Sequence, residues 1–259
     1  MPSIGQWRDA SAYDYIQDLD PAALAWEFLR RNPAYQQDYK AVMQHDQDNK
    51  PAIKALAARW GLRCCPINPE IPARRGCIHW SPQQDPATIP LLPSPFPDQN
   101  PLISSDTHQD ILSKPAPEQG HLVFSVMVLA DTQAPSPLAA LVLLDDDTLD
   151  RLDAITRFWL ALQKRKVIQD HRMTPQRRQR LRQTLRVVDA RGEGMTYRAI
   201  GETMFPRHRI DPASWVGNPI RETIIRLARD GAELVRGGHW KLLRHPRRQS
   251  RSEIASNVQ

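Results

Sequence analysis

The sequence is poor in cysteine, with three among 259 residues. Cys64 and Cys65 are adjacent and Cys77 is left over, a pattern that does not build the disulfide framework of a small secreted protein. Long hydrophobic runs are also lacking, because the longest uninterrupted apolar stretch, Leu138–Leu144, has the length of a strand. The residues from Met1 to Asp9 lack a signal-peptide pattern. We therefore expect a cytoplasmic protein with no membrane association.

Motifs that hold nucleotides or catalytic metals are missing as well. The sequence has no phosphate-binding glycine loop, no Gly-x-Ser-x-Gly and no His-Glu-x-x-His. A zinc site could draw on Cys64, Cys65, Cys77 and His79, but adjacent cysteines suit a tetrahedral site poorly. The acids Asp145–Asp147 could bind a cation, yet they precede a predicted helix, and the helix dipole stabilises carboxylates at that end. We predict no metal, no cofactor and no enzymatic activity.

Basic residues are scarce in the first part of the chain and abundant in the second. Residues 1–150 hold 11 basic and 19 acidic side chains, a net charge of −8. Residues 151–259 hold 24 basic and 10 acidic side chains, a net charge of +14, and their only lysines are Lys164, Lys166 and Lys241. Because the planar guanidinium group binds phosphates and guanine edges with two hydrogen bonds, this arginine bias favours a nucleic-acid partner over a solvated basic surface.

Proline and hydrophobic spacing predict an α+β fold that is mainly α. Asp20-Pro21, Asn32-Pro33 and Lys50-Pro51 are typical of helix starts. Twelve of the 23 prolines fall between Cys64 and Pro117, which excludes long helices there. Short strands are expected near Cys77–Trp80 and Ile89–Leu92. Two further strand-like runs, His121–Ala130 and Leu138–Leu144, would together form a small antiparallel sheet.

Helices return after Asp147. Leu152, Ile155, Trp159 and Leu162 recur at the spacing of one buried helix face, and Thr174-Pro175 begins the next helix. The expected divisions are an N-terminal helical domain (1–63), a proline-rich connection with the sheet (64–145), a helix-turn-helix DNA-binding domain (146–245) and a disordered tail (246–259).

The candidate DNA-binding unit is a short helix, a connector and a basic helix. Thr196–Phe205 predicts the first helix, Pro206–Pro212 a connector longer than an ordinary helix-turn-helix turn, and Ser214–Arg229 the second helix. On the second helix, apolar residues and residues suited to the major groove fall on opposite arcs. The candidate DNA contacts are Arg198, Asn218, Arg221, Glu222, Ile225, Arg226, Arg229, Arg236, His239 and Lys241.

Residues 233–243 predict a β-hairpin that turns at Gly237-Gly238. Such a hairpin could act as a wing whose Arg236, His239 and Lys241 touch phosphates. It could equally do no more than close the core through its apolar residues. The pattern leaves both possibilities open.

Two segments resemble known regulator families. The strings at 7–13 and 24–35 resemble a small proteobacterial transcriptional regulator-like domain. Thr196–Ile200, the basic helix around Arg221 and Leu234–Gly238 resemble the RovC-type DNA-binding domain, which also occurs in FseA-type activators. The resemblance implies an activator of type VI secretion or mobile-element genes that binds double-stranded DNA through a variant helix-turn-helix. It also implies a homo-oligomer, with RNA polymerase or another regulator as a further partner.

A second hypothesis is an antiactivator that binds another transcription factor instead of DNA. It rests on the acidic N-terminal part, which has more aromatic residues than a small helical bundle needs. The alternative is that most of these aromatics form the core. They are Trp7, Tyr13, Tyr15, Trp26, Phe28, Tyr35 and Tyr39.

Overall fold

A computed structural model describes residues 5–45, 49–63, 65–75, 78–96, 124–129, 137–168, 170–208 and 211–245. The helices are α1 (Pro21–Leu29), α2 (Pro33–His45), α3 (Lys50–Arg59), α4 (Thr148–Leu162), α5 (Pro175–Gly192), α6 (Tyr197–Met204) and α7 (Pro219–Val235). The strands are β1 (Ile89–Pro93), β2 (Val126–Val128) and β3 (Leu138–Ala140). Short 3-10 helices lie at Gln6–Arg8, Ser11–Gln17, Ala73–Arg75, Pro212–Gly217 and Gly238–Leu242. The predicted α+β fold, mainly α, is confirmed.

The proline-marked helix starts are also confirmed. The Asp20 side chain accepts a hydrogen bond from the Ala23 amide, and Pro21 occupies the first position of α1. Asn49 caps α3 in the same way through the Ala52 amide. In each case the side chain satisfies an amide that the helix itself leaves without a partner.

The sheet is mixed, so the prediction of a purely antiparallel sheet is wrong. The strand order is β2-β1-β3. β1 pairs in parallel with β2, with Ile89 opposite Val126, and antiparallel with β3, with Leu91 opposite Ala140. Consecutive strands usually pair with each other, which is why β2 and β3 were expected to be neighbours. Here the strand with buried Ile89 and Leu91 lies between them.

Two hydrophobic cores organise the described residues. The larger one joins the N-terminal helices to α5–α7, and its members run from Trp7 to Leu243. The smaller one lies between the sheet and α4 and contains Ile89, Val126 and Phe158. Residues 6–29 and α5–α7 are therefore parts of one packed body, although they lie far apart in sequence.

The arginines of α5 hold the N-terminal segment in place. Arg182 donates to the Ala10 carbonyl (2.7 Å) and Arg186 to the Trp7 carbonyl (3.0 Å), while Arg178 donates to the Leu19 carbonyl. A carbonyl oxygen can accept more than one hydrogen bond, and a guanidinium group supplies several donors at once. Part of the positive charge of the second half is therefore used internally.

On α4 the structure differs from the predicted helix face. Ile155 and Leu162 pack against the smaller core as expected. Leu152 and Trp159 are instead exposed. The α4 residues that are buried include Arg151, Ala154, Arg157 and Phe158. Arg151 and Arg157 can be buried because their guanidinium groups donate to the Pro82 and Ile168 carbonyls.

Among the described helices, none is long and apolar enough to cross a membrane. The predicted tail, residues 246–259, lies outside the described residues.

Candidate nucleic-acid interface

The first helix of the candidate unit is α6. Thr196, the first residue of the predicted helix, accepts a hydrogen bond from the Ala199 amide and is the N-cap. Ile200 and Gly201 are buried, so this face docks on the core. Arg198 lies on the exposed side and forms an ion pair with Glu202, with 3.4 Å between Nε and Oε1. It is the only one of the candidate contacts that lies on α6.

The connector between the helices contains a turn of 3-10 helix at Pro212–Gly217, and its residues 209 and 210 lie outside the described chain. Asp211 caps this turn through the Ala213 amide. The second helix therefore begins at Pro219, five residues later than the predicted Ser214. Asn218 is its N-cap, and its side-chain oxygen accepts from the Ile220 amide at 2.9 Å. Asn218 itself is half-buried.

The buried side of α7 packs closely on α5. Ile224 and Leu227 face the core, as the helical spacing predicted. The closest approach is at Gly231, where a Cβ atom would lie 2.4 Å from Cγ2 of Val188 and 3.0 Å from Cγ2 of Thr184. Only glycine allows this separation of the two helices. Gly231 is not among the residues predicted from the sequence, although a glycine inside a helical pattern can indicate such an approach.

The opposite side of α7 carries the predicted reading residues. Glu222, Arg226 and Arg229 are exposed, and Arg221 and Ile225 are half-buried. Arg221 pairs with Glu222 at 2.9 Å, and Arg229 lies 3.5 Å from Asp230. Arg226 has no ion-pair partner among the described residues. The structure thus brings five of the ten candidate contacts onto one accessible helix face.

The predicted hairpin at 233–243 is wrong. α7 continues through Val235, and a 3-10 helix at Gly238–Leu242 follows it. Gly237, with φ of 137°, turns the chain between the two helices. The Gly-Gly pair that suggested a hairpin turn is thus a helix exit, and the unit has no β-wing in this segment.

The three residues assigned to the wing have different surroundings. His239 is fully buried, with its ring 5.7 Å from the Trp80 ring and 4.4 Å from the Trp240 ring between centroids. Because its side chain is buried, His239 cannot reach DNA. Burial also lowers the pKa of His239 to about 4, so the ring is neutral at pH 7. Arg236 and Lys241 are exposed, and Lys241 lies 2.5 Å from a Glu233 carboxylate oxygen.

A groove lies between α5 and α7. Its volume is about 450 Å³. It is lined by Pro175, Gln176, Gln179, Arg180, Gln183, Thr223, Arg226 and Leu227. Arg180 crosses its end and pairs with Asp230 at 2.6 Å. Sequence reasoning missed this edge of α5, although glutamines recurring three and four residues apart share one helix face.

The metal candidates gain no support. Cys64 and Cys77 lie outside the described residues, and Cys65 is exposed. Within the described ranges, no three His, Cys, Asp or Glu side chains come together as a metal site. Asp145 instead accepts from Arg151 at 2.8 Å and Asp147 from Arg244 at 2.9 Å. These acids precede α4, as predicted, and bind one arginine of α4 and one arginine near residue 245.

Comparison with known proteins gives two matches. Residues 141–244 match the family model described as a DNA-binding domain of a transcription factor of the type VI secretion system (T6SS). Residues 6–65 match the model of a proteobacterial transcriptional regulator-like domain. Both agree with the resemblance found in the sequence. No curated protein matches the chain.

Proposed function

We propose that this chain, a transcription regulator with a DNA-binding domain, reads double-stranded DNA through the outward face of α7. α6, the connector and α7 would act together as a variant helix-turn-helix. The observation that carries the proposal is the separation of the two faces of α7. Ile224 and Leu227 fix the helix to the core, while Arg221, Arg226 and Arg229 lie on the accessible side.

The position of each residue along α7 suggests its role. Arg221 and Glu222 lie in the first turn, the part of a recognition helix that usually reaches base edges. Arg226 and Arg229 lie further along the helix, where phosphate contacts are typical. Arg198 and Arg236 would contact the backbone on either side.

The regulatory role follows the family match and the resemblance. We propose an activator of type VI secretion or mobile-element genes that self-associates and contacts RNA polymerase or another regulator. The alternative, an antiactivator, rested on surplus aromatic residues in the N-terminal part. Trp7, Tyr13, Trp26, Phe28 and Tyr35 are buried in the larger core, so they offer no docking surface. The observation behind that alternative therefore no longer favours it.

Salt-dependent binding tests the proposal. A DNA fragment selected by the full chain from a random pool is titrated at 50 and 200 mM salt. If the protein neutralises about four phosphates, its affinity falls about 100-fold across this range. An affinity that stays constant, or a failure to select any fragment, would contradict DNA binding.

A further inference from the structure

The helix α4 buries Phe158 against the smaller core, but it also buries two arginines and leaves three large apolar residues exposed. Arg151 and Arg157 are buried. Leu149, Leu152 and Trp159 are exposed by 77%, 45% and 41%. A helix on a protein surface normally shows the reverse arrangement.

Ion pairs fix α4 in this orientation. Arg151 binds Asp145 at 2.8 Å and donates to the Pro82 carbonyl at 3.1 Å. Arg157 binds Asp170 at 3.1 Å and donates to the Ile168 carbonyl. Rotating the helix to cover Leu149 would break both ion pairs and turn Phe158 out of the smaller core, which would cost more than the exposed leucine does. The exposed side chains therefore cannot be buried by a small rearrangement of this chain.

Leu149, Leu152 and Trp159, with Thr156 between the last two, form a stripe of exposed residues. Leu149, Leu152, Thr156 and Trp159 are spaced by three and four residues, so they lie along one side of the helix. Leu144, four residues before the start of α4, is also exposed. Contiguous apolar surface of this kind marks an interaction site more often than an isolated exposed leucine does.

The two ends of the stripe have opposite charge. Asp145 and Asp146 are exposed next to its N-terminal end. Lys164, Arg165 and Lys166 are exposed beyond its C-terminal end, and the Arg165 guanidinium lies 5.3 Å from the Trp159 ring centroid. A partner helix that fits this surface is basic where α4 is acidic and acidic where α4 is basic. A second α4 that runs in the opposite direction has this charge distribution.

We propose that α4 pairs in an antiparallel manner with α4 of a second copy of this chain, around a two-fold axis near Thr156. Leu149, Leu152 and Trp159 of each copy become buried, and Thr156 is small enough for the helices to approach closely at the axis. Asp146 of one copy lies near Lys166 of the other, and the contact occurs twice because the interface is isologous. The proposal supplies a surface for the self-association proposed above and does not depend on DNA binding.

The first test measures the mass of the full chain by sedimentation. The wild-type chain sediments at no less than twice its mass of 29.6 kDa at micromolar concentration. Leu149→Glu lowers the association constant at least tenfold, since it places a carboxylate in the apolar contact. Val216→Glu is the matched control, because Val216 is 78% exposed but lies in the 3-10 helix before α7. Thermal unfolding verifies that both variants are folded.

The second test exchanges the charges at the two ends. Asp146→Lys alone and Lys166→Asp alone each weaken association, because like charges then meet twice. The double variant recovers wild-type association, and a mixture of the two single variants forms a heterodimer. Lys54→Glu, at an exposed position of α3, is the control for a change of net charge.

A wild-type chain that remains monomeric overturns the proposal, as does association that Leu149→Glu leaves unchanged. If another segment of the same chain covers the stripe, the protein is monomeric, and if another protein covers it, the purified chain does not associate. Single charge variants that associate normally, or a double variant that stays weak, overturn the antiparallel arrangement. None of these results involves DNA, so they leave the proposed reading function untouched.

Discussion

Arg31 binds Asp189 through two parallel hydrogen bonds, from Nε at 2.6 Å and from Nη2 at 2.9 Å. Arg31 follows α1, and Asp189 lies in α5, the helix on which α7 packs. The carboxylate also accepts from the Tyr13 hydroxyl at 2.5 Å. One carboxylate of α5 therefore holds two N-terminal elements, and both side chains of the ion pair are almost completely buried.

Replacing Asp189 by alanine should destabilise the whole body. The substitution leaves the Arg31 guanidinium buried with Glu27 as its remaining acid, so we expect a loss of about 3 kcal/mol in the free energy of unfolding. Urea unfolding measures this loss. The control is Asp14→Ala, which removes a largely exposed carboxylate paired with Arg182 and should cost less than about 1 kcal/mol. Equal losses in the two variants would show that the buried ion pair contributes no more to the free energy of unfolding than the exposed one.

Gly231→Ala should weaken the contact between α5 and α7. Alanine favours a helix over glycine by about 1 kcal/mol, but here its Cβ would overlap the side chains of Val188 and Thr184. Because both neighbours are β-branched and buried or half-buried, they cannot easily move aside, and we expect a net loss of about 1–2 kcal/mol. The measurement is the midpoint of urea unfolding.

Gly192→Ala is the matched control for this prediction. Gly192 ends α5 and nothing lies within 4 Å of the position of its Cβ. The same substitution there should be neutral or stabilise the protein by about 0.5 kcal/mol. If Gly231→Ala stabilised the protein as well, the two helices would not be held at the separation that the structure shows.

Features set by neighbouring residues could be predicted from the sequence, and features set by distant ones could not. The caps at Asp20 and Thr196 and the two faces of α7 depend on a few consecutive residues, and all were predicted. The strand order depends on β1 pairing with both β2 and β3, which follow it by more than 30 and more than 40 residues in the sequence. Arginines of α5 bind carbonyls more than 150 residues away, so sequence spacing could not assign them. Gly237-Gly238 was misinterpreted because the dipeptide suits a helix exit as well as a hairpin turn.

The stability of the protein should fall at mildly acidic pH because of His239. Its pKa is lowered from the ordinary 6.5 to about 4, so the unfolded chain binds a proton between these values and the native chain does not. Stability from this group is complete above pH 6.5 and declines as the pH falls towards 4. Between pH 7 and pH 5 we expect a loss of about 2 kcal/mol, measured by urea unfolding.

His239→Phe should remove this part of the pH dependence, because phenylalanine can occupy the site between Trp80 and Trp240 without titrating. His208→Gln is the control, since His208 is exposed and its loss should leave the slope unchanged. The assignment fails if the His239→Phe variant shows the same difference between pH 7 and pH 5 as the wild-type chain.

Substitutions on α7 should separate base reading from phosphate binding. Arg221→Ala should reduce the preference for the selected DNA over random DNA by about 1–3 kcal/mol, because Arg221 lies in the first turn of the helix. Arg226→Ala and Lys241→Ala should weaken both DNAs similarly, and Arg226→Ala should lower the salt slope by about one. Since Lys241 is already paired with Glu233, its effect should be the smaller of the two. Lys54→Ala, at an exposed position of α3, is the control for loss of a positive charge. If Lys54→Ala weakened binding as much as Arg226→Ala, the protein would attract DNA through its overall charge, and the outward face of α7 would have no particular role.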